Sequence, residues 1–249
     1  MRNGYLIDMD GVIYRGSAPI PGAAEFIRHL QMEEVPYLFL TNNSAYTPLD
    51  VVNKLRKFGI DTSADHVYTS ALATAAFVHR QKPGGTAFVI GEGGLLTALC
   101  DVGYAITSED PDYVVVGEGR TLNFEVAERA HRMIANGARL LSTNSDTWCP
   151  TENGPRPGCG AIVALLEAAT ERKAYHVGKP NPFMMREARK RIGLTTDEVI
   201  MIGDTMETDI RGATDLGFRS ILVLTGSTTR ESLRNYPYSP SEIVESIAE

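Results

Sequence analysis

The sequence predicts an α/β fold: a parallel sheet covered by helices, with a second α/β domain inserted in the chain. Three observations carry it. Short runs of β-branched and aromatic residues alternate with longer helical patterns along the whole sequence. Two apolar runs, "YLID" near one end and "VIMIGD" near the other, finish in aspartate, at the strand end where open α/β sheets place their ligands. A chain of 249 residues, 43% hydrophobic and 22% charged, has room for one large domain or two modest ones, and two is the expectation.

In chain order, strands are expected at 5–7, 37–40, 86–90, 113–116, 139–142, 174–177, 199–202 and 220–224, each a run suited to a pleated, buried surface. Helices announce themselves by their ends. Thr47-Pro48 opens one that Gly59 closes, Asn123 opens one that Gly137 closes, and Asn181-Pro182 opens one that Gly193 closes. Polar caps and early prolines start helices, and a glycine past the last turn stops them. Lys82-Pro83-Gly84-Gly85 marks a seam after a helical stretch over 70–80; around Arg172-Lys173 a helical stretch from Gly160 gives way to a strand. The expected domains are a core of residues 1–82 and 173–249 and an insertion of residues 83–172.

Composition excludes several classes. The 24 Lys plus Arg against 31 Asp plus Glu give a formal charge of −7, and no basic run interrupts it, so no nucleic-acid partner is expected. Cys100, Cys149 and Cys159 show no metal-ligand spacing and read as reduced thiols of a cytoplasmic protein, a Cys149–Cys159 bridge being the lesser alternative. There is no basic and apolar leader and no apolar run of bilayer-spanning length, so no membrane partner is expected. Asn42-Asn43-Ser44 fits a glycosylation acceptor, which has no meaning without secretion. "GEGG" at 91–94 and "GEGR" at 117–120 lack the spacing of a dinucleotide loop and read as turns. Nothing in the sequence fixes an oligomeric state.

The chemistry gathers at the strand ends. Asp8 and Asp10 lie two apart in an extended segment, so both carboxylates face one side. Asp10-Gly11 alone would read as a turn, but that leaves Asp8 unexplained, because two adjacent carboxylates at the end of a buried strand repel each other and lose hydration. A nearby cation resolves the conflict. Asp204 and Asp209 repeat the pattern after the strand at 199–202. If the two strands are neighbours, four carboxylates converge, and hard oxygen ligands with no histidine or thiol point to Mg²⁺. Thr41-Asn42-Asn43-Ser44 and Lys179, each just beyond an expected strand, add hydroxyl, amide and ammonium donors; together these residues form a socket for a phosphoryl group.

These motifs, Asp8-Met9-Asp10-Gly11-Val12, Thr41-Asn42-Asn43, Gly178-Lys179-Pro180 and Gly203-Asp204 with Thr208-Asp209, resemble those of the haloacid dehalogenase superfamily, and of its NagD-like branch of nucleotide and sugar phosphatases. "PGAAEF", "VYTSALATA", "VGKPNP" and "ILVLTG" are similar to that branch too, so the resemblance spans the whole chain. It implies a Rossmannoid core and an α/β cap formed by the insertion. Asp10-Gly11-Val12 favours a phosphatase over the superfamily's dehalogenases, which lack the second aspartate, and over its ion pumps.

The resemblance implies hydrolysis of a small-molecule phosphate monoester through an aspartyl-phosphate, Asp8 being the nucleophile and Asp10 the general acid and base. Mg²⁺ would be held by the carboxylates of Asp8 and Asp204 and the backbone carbonyl of Asp10, with Asp209 supporting from behind. Asp10, Thr41, Asn42, Lys179 and the turn Thr205, Met206, Glu207 and Thr208 would bind substrate. A loop over residues 142–161 would read the leaving group through Asn144 and Asp146, with Trp148 as an apolar face. Nucleoside 5′-monophosphates such as UMP are the first expectation. Sugar, glycolate or pyridoxal phosphates, a phosphomutase, or a noncatalytic phosphate-binding relative are the alternatives.

Overall fold

The computed structural model of the protein describes residues 3–149 and 154–249, so residues 150–153 of the 142–161 loop lie outside the described residues. The chain forms two units. The first comprises Met1–Thr41, Leu49–Tyr68 and Lys179–Glu249. Its sheet has the strand order Glu242–Val244, Arg219–Val223, Val199–Gly203, Gly4–Ile7, Tyr37–Thr41 and Val67–Thr69. Gly4–Ile7 lies inside it, parallel to Val199–Gly203 (Gly4 beside Val199, Ile7 beside Ile202) and to Tyr37–Thr41 (Tyr5 beside Tyr37). Both flanking strands are buried along their full length, as the unbroken runs "LFL" and "VIMI" require of a parallel sheet covered on both faces.

The helices explain that burial. Ala23–Met32 turns Ala23, Ile27 and Leu30 inward at i, i+4 and i+7, and Pro48–Lys57 buries Val51, Val52 and Leu55. Pro182–Arg191 starts where the sequence predicts, the Asn181 side chain accepting from the Phe183 N–H at 2.8 Å. Ile7, Met9, Ile27, Phe39, Leu55 and Ile202 meet in one core.

The second unit comprises Asn42–Pro48 and Thr69–Gly178. It carries a five-stranded sheet in the order Tyr175–His176, Arg139–Ser142, Tyr113–Val116, Thr86–Ile90 and Ala105–Ile106, parallel throughout. Phe88, Ile90, Val114, Val116, Val163 and Leu166 form its core. The seams differ from those expected at 82/83 and 172/173. Helix Ser70–Gln81 belongs to the second unit because it packs on Gly93–Asp101 and because the Tyr104 hydroxyl donates to the Val78 and Lys82 carbonyls at 2.9 and 2.6 Å. Tyr175–His176 pairs with Leu141–Ser142, not with the first sheet. Propensity registers a strand but not which sheet it joins.

The three cysteines are free thiols. Among the described residues no helix is long and apolar enough to cross a membrane.

Candidate active site

Because Gly4–Ile7 and Val199–Gly203 are adjacent and parallel, their C-terminal ends deliver Asp8 and Asp204 to one place. A single turn of π-helix, Met206–Ile210, then swings Asp209 back toward them, and the Thr205 N–H donates to Asp209 Oδ2 at 3.2 Å. One carboxylate oxygen from each of Asp8, Asp204 and Asp209 lies within 4.8 Å of the others, and all three residues are buried. Lys179, also buried, enters from the segment returning out of the second unit; its Nζ donates to Asp8 Oδ1 at 2.6 Å and to Asp209 Oδ1 at 2.7 Å.

Three carboxylates face one ammonium, leaving two negative charges where water is scarce. Burial therefore pushes Asp204 up to about 6, Asp8 adding to the rise and the Ser227 N–H and Lys179 opposing it. Burial likewise raises Asp209 well above the usual carboxylate range, against the pull of Lys179. For Lys179, burial alone would lower the pKa, but Asp209 and Asp8 outweigh it and hold the ammonium above its ordinary value. A cluster of hard oxygen donors carrying this excess of negative charge suits a divalent cation, so the residues present fit the metal that the sequence suggests.

Asp10 is different. Its side chain stays exposed, yet lost hydration and the neighbouring Asp8 raise it to about 6, while Lys54 and Arg15 pull the other way. Lys54, whose Nζ sits 3.5 Å from the Tyr14 ring centroid, is a neighbour the sequence did not disclose. Gly11 makes the tight turn possible with φ +85°. An added Cβ there would meet Asp204 Oδ2 at 2.6 Å.

Thr41 closes its strand and is buried. In the 205–208 turn two backbone N–H groups that could have served a substrate are already engaged: the Thr205 N–H by Asp209, and the Met206 N–H by Thr228 Oγ1 at 3.3 Å. The Met206 side chain packs with Ile210 and Leu222. Glu207 is exposed and Thr208 half-buried.

Within the second unit, Asn42, Asn144 and Asp146 come together. Asn144 Nδ2 donates to the Asn42 carbonyl at 2.8 Å, the Asp146 N–H donates to Asn144 Oδ1 at 3.0 Å, and Asn42 Nδ2 donates to Asp146 Oδ2 at 3.1 Å. Asn144 is thus buried and engaged at both ends of its amide, by Asn42 and by its own loop, whereas Trp148 is 56% exposed. The loop has a second anchor. Glu118, buried, accepts from Arg156 Nη2 at 2.8 Å, from the Cys159 N–H at 3.2 Å and from the Cys149 thiol at 3.4 Å. Its own N–H donates to Ser44 Oγ at 2.8 Å. Burial followed by the Glu118 charge pushes the Cys149 thiol up to about 12, which keeps it protonated.

Sequence reasoning also passed over the turn after Arg219–Val223. Ser227 donates its N–H to Asp204 Oδ2 at 2.6 Å, Thr228 its N–H to the Asp204 carbonyl at 3.1 Å, and Thr225 Oγ1 donates to the Gly11 carbonyl at 2.6 Å. The signal was "ILVLTG", a further apolar run ending in polar residues beside a glycine.

Residues 5–105 match the family described as haloacid dehalogenase-like hydrolase, and residues 176–249 a second described as HAD-hydrolase-like. The chain belongs to the haloacid dehalogenase-like hydrolases. Within them it falls in the NagD-like branch and is a phosphoric monoester hydrolase. It is 42% identical over 245 residues to dihydroxyacetone phosphatase of Corynebacterium glutamicum, covering 98% of this chain and 89% of that one. It is 38% identical over 244 residues to ribonucleotide monophosphatase NagD of Escherichia coli K12, covering 98% and 96%. A thermostable NPPase double mutant from Geobacillus stearothermophilus superposes with a TM-score of 0.94 at 41% identity, covering 100% of this chain and 98% of that one. In this haloacid dehalogenase-like hydrolase, then, Asp8 and Asp204 stand at the ends of two adjacent parallel strands, with Asp209 and Lys179 against them.

Proposed function

We propose that the chain hydrolyses a small-molecule phosphate monoester in two steps through an aspartyl-phosphate on Asp8. The observation that carries this reading is the buried trio Asp8, Asp204 and Asp209 around Lys179. Asp8 attacks phosphorus in line and the P–O bond to the alcohol breaks; Asp10 protonates the departing oxygen, then takes a proton from the water that opens the acyl phosphate. An Asp10 carboxyl raised to about 6 suits that exchange, because a group titrating near neutrality gives and takes a proton with similar ease. Thr41, Lys179 and the Asn42 N–H bind nonbridging oxygens, where transition-state charge is spread.

Mg²⁺ is the cofactor in this reading, held by the Asp8 and Asp204 carboxylates and the Asp10 carbonyl with Asp209 in support, and it supplies charge neutralisation between the attacking carboxylate and the phosphate dianion. The decisive experiment adds borohydride during turnover, expecting homoserine at position 8 by peptide mass spectrometry. Asp8→Asn should fall to background rate with its melting temperature kept. Substantial turnover by that variant defeats the covalent route. Asp10→Asn should cost about 10²–10⁴ in rate, and less on aryl phosphates, whose leaving groups need little protonation.

For the ester, nucleoside 5′-monophosphates such as UMP remain the first reading, supported by the NagD relative. A short phosphorylated ketose is the second, favoured by the identity to dihydroxyacetone phosphatase. Phosphate release from a panel of both classes decides between them. Discrimination is assigned to the 142–161 loop. Asp146→Ala should narrow the gap in kcat/KM between good and poor esters and leave an aryl phosphate nearly unaffected. Asn144→Ala should do the same by loosening the loop, and an unchanged ranking in both variants moves the determinant elsewhere. The reaction belongs to a cytoplasmic enzyme in this reading.

A further inference from the structure

The turn Thr225–Thr228 touches both halves of the site without supplying a group to the reaction. Its first contact is with the acid–base segment. Gly11 follows Asp10 directly, at φ +85°, and its N–H donates to the Tyr14 carbonyl at 2.7 Å. The N–H groups of Val12, Ile13 and Tyr14 all turn back to the Met9 carbonyl. The Gly11 carbonyl faces the other way and receives the Thr225 hydroxyl at 2.6 Å, across 214 residues of sequence. That bond fixes the peptide plane between Gly11 and Val12, one residue beyond Asp10, while the Gly11 N–H bond to Tyr14 holds the plane before it; between them the two bonds restrain the turn from which the Asp10 side chain leaves the backbone.

The second contact is with the metal-ligand candidate. Asp204 Oδ2 accepts the Ser227 N–H at 2.6 Å, Asp204 Oδ1 accepts the Thr205 hydroxyl at 3.1 Å, and the Asp204 carbonyl accepts the Thr228 N–H. Thr228 Oγ1 takes the Met206 N–H as well. The carboxylate is thus held at both oxygens. Gly226 lets the backbone come this close: a Cβ there would overlap Oδ2, Cβ and Cγ of Asp204. Glycine is required by contact here, since no positive φ is involved.

We propose that Thr225–Thr228 is a positioning element of the active site, in which Thr225 sets the direction of Asp10 and Gly226 admits the backbone that orients the Asp204 carboxylate. It rests on the roles given above to Asp10 and Asp204. The two halves separate experimentally. Thr225→Val keeps the shape of threonine and removes the donor, so kcat for glycerol 2-phosphate should fall about tenfold relative to 4-nitrophenyl phosphate, in the direction of the larger Asp10→Asn effect. KM and melting temperature should hold, and Thr225→Ser should restore the parent ratio. Gly226→Ala should shift Mg²⁺ half-saturation, read as the rise in melting temperature with Mg²⁺ alone and no ester present, at least about tenfold upward, because a misaimed ligand binds weakly.

Equal loss on both esters in Thr225→Val, or no recovery in Thr225→Ser, overturns the Thr225 assignment. A parental Mg²⁺ titration in Gly226→Ala overturns the other. Asp10→Asn runs alongside: if it shows no leaving-group dependence, the acid–base role itself is wrong and the Thr225 assignment falls with it. If it shows that dependence while Thr225→Val does not, only the present proposal fails. Should Gly226→Ala not fold, the Thr225 pair alone decides.

Discussion

Two buried carboxylate centres lie just past parallel strands, one in each unit, and they are built on opposite terms. Glu118, beyond Tyr113–Val116, is matched: a guanidinium, a backbone N–H and a thiol converge on its two oxygens. Asp8, Asp204 and Asp209 are mismatched, three acids sharing one ammonium. Burial of charge is common to both, so burial is no mark of chemistry. The mark is the deficit of positive charge that folding leaves in place for another cation to fill. One centre ties a loop down; the other holds an unfavourable arrangement ready.

The comparison is most severely tested at Lys179. Lys179→Met removes the only cation among the described contacts of the trio, and breaking a buried ion pair by deleting one partner costs on the order of 3–5 kcal/mol. Urea unfolding of the metal-free variant should show that loss, and adding Asp209→Asn should recover part of it by removing the charge left unpaired. A loss under about 1 kcal/mol, the range of exposed pairs, would put the trio and Glu118 on the same footing.

A gentler test uses pH. Asp204 titrates at about 6 in the folded protein against an ordinary 3.8, and Asp209 is raised as well, so between those values the native state binds protons that the unfolded chain has released. Stability of the metal-free protein should rise as pH falls from 7.5 to 5, the gain being lost as pH climbs back through about 6, with Asp204 alone contributing about 1 kcal/mol over that range. Saturating Mg²⁺ should flatten or invert the trend, because it favours the ionised acids. Melting temperatures across that range, with and without Mg²⁺, give the answer; a metal-free protein that weakens steadily as pH falls removes the mismatch.

The smallest effect is expected at the matched centre. Glu118→Gln keeps the shape and most acceptors but loses the charge facing Arg156, which is partly exposed. We expect about 1–3 kcal/mol in unfolding free energy and an unchanged kcat on 4-nitrophenyl phosphate. A collapse of kcat on that ester would show that Glu118 belongs to the chemistry.

How much of this was visible in the sequence follows from the same physics. Asp8, Asp10, Asp204 and Asp209 stood out because polar residues at the end of an unbroken apolar strand conflict with their surroundings. The adjacency of Gly4–Ile7 and Val199–Gly203 was available as a condition and proved to hold. The three-residue strands Val67–Thr69 and Glu242–Val244 are too short to show a period. The unit to which Ser70–Gln81 belongs depends on what its face packs against, which local sequence does not encode. Asn144 looked like a free amide because side-chain satisfaction is a tertiary property. Thr225 and Ser227 stayed hidden for the same reason: their partners are Gly11 and Asp204, far away along the chain.

The position of Gly4–Ile7 inside the sheet also bears on how the protein is made. One neighbour, Tyr37–Thr41, emerges from the ribosome soon after it, but the other, Val199–Gly203, is nearly the last long strand to appear. At about 5–20 residues per second the nascent chain carries an apolar strand with one bare edge for roughly ten to thirty seconds. Meanwhile residues 69–178, almost a continuous stretch, have time to fold on their own. Such an edge invites pairing with other chains, so a stalled chain ending before residue 199 should depend on chaperones, and the full-length chain stalled behind a linker that clears the exit tunnel should not. Pull-down of the two stalled complexes for bound chaperone measures it, and equal capture would mean that the open edge is shielded in some other way.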